Sequence, residues 1–390
     1  MKKAVVITLF LAAAMASAMA APRIPKDDAE VLERLPGRPN DPAMSELRRL
    51  RAAAAAAPAD SGAAATLARN LFDLANAEGD PRYIGYAEAA MRPWHSDDAS
   101  ADIFFVRGLL RQYRHDFDAA IADFARALEK DPQHFGARAW RAAIFMVRAN
   151  YSAAAGECAA LPGDAGELYR AGCRAYVEAA TGNLRLAYER LAEALRRDSS
   201  AAPETRLWIL TRLAEMAWRL EDHAAADRLF NQALGLGFDD NFLLAAYADF
   251  LLERGRNKEV VGLLKQWTRS DTLLLRLALA ERALGMREAD AHAQALGERF
   301  AAAALRGERL HMGEEARYLL SLKSDAKAAL AVALDNWKDQ REPRDALIVL
   351  EAAVAARDPQ AAAPVLKWLD ESRFESARLQ QLAVKLKKQS

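Results

Sequence analysis

From about residue 41 onward, apolar residues recur three and four positions apart, in a stretch rich in Ala, Leu, Arg and Glu with almost no alternating β-branched runs. Those residue types are strong helix formers, and the spacing gathers the apolar side chains on one stripe of a 3.6-residue helix. The pattern predicts an all-α chain. Short breaks punctuate it at Glu78-Gly79-Asp80-Pro81, Asp131-Pro132, Pro162-Gly163-Asp164, Thr181-Gly182-Asn183, Gly235 to Asp240, Arg254-Gly255-Arg256-Asn257 and Asp358-Pro359. Gly, Pro, Asn and Asp end helices and turn the chain, so breaks of this kind between helices of about a dozen residues predict antiparallel helix pairs. With 390 residues, 52% of them hydrophobic, the chain also exceeds what one compact core organises. Several domains or a repeat array are the two solutions.

Comparison of the chain with itself selects the array. Between Ala101 and His134, Gly108 falls on a first helix, Ala120, Phe124 and Ala127 fall on a second, and Pro132 marks the turn that follows. A shift of about 34 residues finds Ala142, Tyr151, Ala154 and Cys158, then Ala175, Gly182, Ala187, Leu191 and Ala194. Further copies read Leu213, Ala214, Ala226, Phe230 and Ala233, then Tyr247, Ala248, Gly255, Leu264 and Trp267. Weaker copies lie around Leu71, Gly79 and Met91, around Leu277, Ala278 and Gly285, and from about Leu310 and Pro343. This pattern resembles the tetratricopeptide repeat, of the type found in exported bacterial proteins. The resemblance implies a right-handed superhelical solenoid of antiparallel helix pairs, with about nine units across residues 65–376 and a capping helix at 377–390. Arg107 and Arg111 depart from the expected apolar and aromatic residues, and the stretch from Gly285 to about residue 310 fits poorly, as a longer helical insertion would. The segment Asn336 to Pro343 resembles one in bacterial repeat proteins of this type and implies no activity.

The first twenty residues bear on compartment. Lys2 and Lys3 precede an apolar run from Val5 to Met15 and the small-residue site Ala18-Met19-Ala20. These are the parts of a cleaved signal peptide, and the run is shorter than the roughly 20 residues a membrane span requires. No cysteine follows the site, so a lipid anchor has no acceptor there. The expectation is a periplasmic or secreted product, with residues 21–64 forming a linker and an N-terminal capping helix; a retained anchor is the rival reading. Without Lys2 and Lys3, the balanced 54 basic and 54 acidic residues leave a slight acidic excess. A near-neutral chain with mixed signs offers no clustered cations for nucleic acid or an anionic membrane.

In a solenoid of this kind the first helices of successive units line a concave surface, which suits an extended peptide or a partner helix. By the resemblance, Phe105, Tyr113, Tyr169, Tyr176, Trp208, Trp218, Phe242 and Tyr318 project toward that groove, where aromatic side chains serve as anchors. Packing between units is the alternative for each. One subclass of the family holds chaperone tails by a Lys, Arg and Asn cluster; Arg69, Asp73 and Asn76, or Phe105, Leu109 and Gln112, do not rebuild it. Cys158 falls on the second helix of one unit and Cys173 on the first helix of the next, so a disulfide is geometrically reasonable in an exported chain, against two buried thiols.

Little in the sequence points to chemistry. His95, His115, His134, His223, His292 and His311 are scattered without metal-ligand spacing, so neither a metal nor another cofactor is expected. No phosphate loop or nucleophile elbow occurs. Ser324-Asp325-Ala326-Lys327 matches Ser-x-x-Lys, but a serine before a helix is ordinarily an N-cap. The leading expectation is a non-enzymatic scaffold that binds a protein or peptide in the groove. The alternatives are an assembly factor for a secreted or outer-membrane client, and a divergent enzyme or solute-binding protein using the stretch before residue 310.

Overall fold

The computed structural model describes residues 41–94, 98–308 and 310–389. The signal-peptide reading of residues 1–20, and most of the linker after it, lie outside the described residues. The chain divides into a unit of residues 1–46 and a unit of residues 47–390. Helix α1 spans Pro42–Ala56.

The second unit is built of helix pairs. These are α2 and α3 (Ser61–Glu78, Arg82–Met91), α4 and α5 (Ala101–Tyr113, Phe117–Lys130), and α6 and α7 (Phe135–Val147, Tyr151–Ala159). Then come α8 and α9 (Glu167–Ala180, Leu184–Arg197), α10 and α11 (Pro203–Arg219, His223–Leu234), and α12 and α13 (Asn241–Glu253, Asn257–Leu264). The last are α14 and α15 (Asp271–Ala283, Glu288–Leu305), α16 and α17 (Met312–Ser321, Ala326–Asn336), α18 and α19 (Pro343–Ala356, Ala363–Ser372), and a final α20 (Ala377–Lys387). No strand occurs among the described residues. The architecture is an all-α, tetratricopeptide-like solenoid.

One backbone device recurs between the two helices of every pair. A residue in the left-handed region ends the first helix: Gly79, His115, Ala149, Gly182, Glu221, Gly255, Gly285, Ser324 and Arg357 in turn. Where the motif is complete, the next amide reaches back to the last turn of the helix, as Asn150 N does to Phe145 O at 2.7 Å and Asp222 N to Ala217 O at 2.9 Å. That bond satisfies a carbonyl the helix would leave bare. The residue donating it then caps the second helix: Asn150 accepts from Ala153 N, Asp222 from Ala225 N and Asp325 from Ala328 N. The Ser-x-x-Lys serine is therefore not the cap. Ser324 takes the left-handed position, and Asp325 is the N-cap.

Close approach within a pair follows from small residues. A Cβ on Gly108 would lie 2.5 Å from the Phe124 ring, so α4 and α5 can pack as they do only with glycine there. Arg107 and Arg111, out of place in the repeat pattern, both reach Asp123 of α5, at 3.0 and 2.8 Å. One repeat later Arg138 and Arg141 reach Glu157 of α7, at 3.5 and 2.9 Å. Burial pushes the Asp123 carboxyl up in pKa, against the pull of the two arginines. The poorly fitting stretch after Gly285 is a single helix, α15, which packs as the partner of α14.

The array does not leave its concave face open. Its C-terminal third packs back onto the helices of the first half. Trp337, Val365, Trp368 and Phe374 share one core with Met146, Cys158 and Val177. Polar contacts fix the register: Arg341 N donates to Val147 O at 2.7 Å, Trp368 Nε1 to the Tyr151 hydroxyl at 3.0 Å, and Leu184 N to Glu375 Oε2 at 2.7 Å. Gln340 Nε2 lies 3.2 Å from His115 Nδ1. Farther along, Asn241 donates to the Asn76 carbonyl, and a Cβ on Gly79 would lie 2.9 Å from Ser270 Cβ. Cys158 and Cys173 form a disulfide, with Cα atoms 5.5 Å apart, joining α7 to α8 beside this core.

Candidate functional site

Two interior clefts remain where the first helices face one another. The first has a volume of about 840 Å³ and is lined by the first helices of seven consecutive pairs, α6 to α18, closed at one end by Phe374 and α20. The second, about 950 Å³, is lined by residues of α2, α4 and α6 and of α12, α14 to α16 and α18.

Helix α10 supplies the polar centre of the first cleft. Arg212, Glu215 and Arg219 stand at i, i+3 and i+7, a spacing that aligns them along one helix face. The Arg212 guanidinium sits between two rings, 4.4 Å from the centroid of Tyr176 and 4.3 Å from that of Phe242, and its Nη1 donates to Glu215 Oε2 at 2.9 Å. Its Nε is buried with no hydrogen-bond partner among the described residues. Arg219 lies 3.8 Å over the Phe374 ring and donates to the carbonyls of Ala179 at 2.5 Å and Glu375 at 3.0 Å. Burial draws the Arg219 guanidinium down to about 10, pushes the Tyr176 phenol up to about 12, and raises the Glu215 carboxyl. Across the cleft, Arg276 and Arg317 share Asp249 at 2.6 and 3.4 Å, and Arg378 of α20 holds Glu253 at 2.7 Å.

The second cleft contains a buried carboxyl. Asn336 Nδ2 donates to Asp345 Oδ1 at 2.9 Å, and the Glu342 amide donates to its Oδ2 at 3.0 Å. Burial, with Glu342 nearby, pushes Asp345 up to about 7. His115 lines the same cleft, and its burial brings it down to about 4. Among the described residues no group of three or more His, Cys, Asp or Glu is placed to hold a metal ion. None of the described helices is long and apolar enough to cross a membrane.

No family model matches the chain, and no curated protein matches it. Among solved structures, a chain of the APC/C hetero-tetramer Cut9-Hcn1 is similar at 14% identity and a TM-score of 0.40; the alignment covers 88% of this chain and 52% of that one. A tetratricopeptide repeat protein from Parabacteroides merdae is similar at 12% identity and a TM-score of 0.30, covering 88% and 99%. The chain thus spans about half the length of the first of these.

The eight aromatic residues projected toward the groove separate into groups. Tyr176, Trp218 and Phe242 line the first cleft, where Trp218 Nε1 donates to Glu253 Oε1 at 2.8 Å. Tyr113 and Phe242 line the second. Tyr169 and Trp208 line neither cleft; they stack on each other at 4.7 Å and, with Phe135 edge-on to Tyr169, fill the joint between successive first helices. Phe105 is buried against Phe124 and His134, and Tyr318 against Phe300 of α15. The arginines of α10 and the C-terminal Phe374 are not among the residues the sequence assigns to the groove. Charged residues on these helices read as a solvated face, and only the i, i+3, i+7 alignment beside Trp218 carries a signal of their shared face.

Proposed function

We propose that the chain is a non-enzymatic scaffold, exported to the periplasm or beyond, that receives a short segment of a protein partner in the first interior cleft. The observation that carries this reading is the lining of that cleft by successive first helices with Tyr176, Trp218 and Phe242 among them. Aromatic rings and arginines supply contact area and directional donors together, the combination found at binding hot spots. The volume falls within the roughly 300–1,000 Å³ of ligand clefts, so it fits a few residues of a partner rather than a long extended strand. The disulfide supports an oxidising compartment, where such bonds persist.

The test is site-specific photocrosslinking in intact cells, with the reactive group at position 218 or at the exposed position 228. A discrete partner captured from 218 and absent from 228 is the expected result. The same background from both positions, or no product from 218, contradicts the reading.

A further inference from the structure

The cations of the first cleft are not evenly matched. Glu215 is held by Arg212, and Oε2 of Glu375 accepts from the Leu184 amide. Arg219 is left with two backbone carbonyls and the face of Phe374, and no carboxylate lies within 4.0 Å of it among the described residues. Glu215 and Glu375 act on its charge only from beyond ion-pair distance, while burial works against that charge; a carboxylate in direct contact is the group whose geometry a guanidinium matches through two parallel N–H donors. Its orientation is fixed before any ligand arrives, because Ala179, Glu375 and Phe374 hold it from three sides. Arg212, two turns away along the same face, is likewise fixed between Tyr176 and Phe242 and keeps an unpartnered Nε.

We propose that the cleft binds a carboxylate carried on an aromatic or apolar stem, with Arg219 receiving the carboxylate and Tyr176, Trp218 and Phe242 receiving the stem. The proposal deepens the reading of the cleft as a partner-binding place by naming the chemistry it selects. It differs from the Lys, Arg and Asn cluster weighed in the sequence, because both arginines stand on one helix and Arg219 is oriented by the chain's own C-terminal segment. The same carboxylate can come from the end of a peptide or from an acidic side chain.

Isothermal titration calorimetry on the mature, oxidised chain separates these sources with three probes: N-acetyl-phenylalanyl-alanine, its C-terminal amide, and N-acetyl-glutamyl-phenylalanine amide. The expected result is that one or both carboxylate probes bind at least tenfold more tightly than the amide of the first, and that acetate competes with them. Preference for the free acid assigns a chain end; preference for the glutamyl probe assigns a side chain. Arg219→Gln should reduce the carboxylate probes to the level of the amide, and Arg219→Lys should restore part of the difference. Should Arg219→Gln fail to fold, acetate competition on the unaltered chain decides. Equal binding of acid and amide, binding insensitive to acetate, or no binding of any probe at millimolar concentration overturns the proposal. Persistence of the crosslink at position 218 in that case leaves the partner-binding reading standing, whereas loss of that crosslink removes both.

Discussion

The pair α4 and α5 and the C-terminal segment from Trp337 to α20 use the same helical building block in opposite ways. In α4 and α5, the contacts that set the packing lie within the pair: Gly108 receives Phe124, and Arg107 and Arg111 reach Asp123. In the C-terminal segment, the decisive contacts join residues far apart in sequence, such as Trp368 with Tyr151 and Glu375 with Leu184. Nearest-neighbour stacking alone makes an open groove. Adding the long-range contacts turns that groove into two clefts, and one of them carries the arginines of α10.

The largest effect expected from breaking this comparison comes from Trp368→Ala. It removes a buried ring packed on Trp337 and Phe374, a change that costs about 3–5 kcal/mol. Hydrogen exchange should rise across residues 343–387 while residues 101–147 keep their protection; an equal loss in both would mean that the segment is no separate layer. Next is the disulfide. Replacing Cys158 and Cys173 by serine opens a bridge spanning 15 residues, worth about 3 kcal/mol in the chain-entropy account, and should lower the denaturation midpoint by a corresponding amount.

Acid should act mainly on the contact between the two regions. His115 is held at about 4, below its ordinary 6.5, by burial. Its contribution to stability is therefore fully present above about 6.5 and lost as pH falls through about 4. His115→Gln should flatten that acid-side fall in a pH series of thermal melts. Asp345 has the opposite sign: raised to about 7, its contribution is present below about 4 and lost as pH rises through about 7. Asp345→Asn should flatten the alkaline side. The smallest effect belongs to the turns: Ala149→Gly relieves a left-handed alanine and should raise stability by about 1 kcal/mol, measured by urea denaturation.

The helix pairs were legible because small residues and turn residues recur at a fixed interval, and Gly108, Ala120, Phe124 and Ala127 meet in the structure within a single pair. The turns at His115, Ala149 and Glu221 were less so, because residues other than glycine occupy their left-handed positions and leave no mark in composition. The poorly fitting stretch before residue 310 became α15 for a related reason: pairing with α14 depends on Ala293, Leu296 and Phe300, which fit the helical period without matching the repeat's residue types. Closure of the groove left no periodic trace at all. Trp368 on α19 and Phe374 in the connection before α20 are ordinary apolar positions in the sequence, and nothing local shows that they face Tyr151 and Arg219.

Closure is open to one direct measurement. A Cβ on Gly182 would lie 3.0 Å from Arg373 Cβ, and these residues are on opposite sides of the closure. The double variant Gly182→Cys with Arg373→Cys, and independently Asn76→Cys with Asn241→Cys at the hydrogen bond between those two residues, should form an intramolecular disulfide in the oxidised monomer, detected by mass spectrometry of proteolytic fragments. Crosslinked fragments from both pairs are the predicted result. Free thiols in both, with the native Cys158–Cys173 bridge intact, would show an open solenoid and contradict the account.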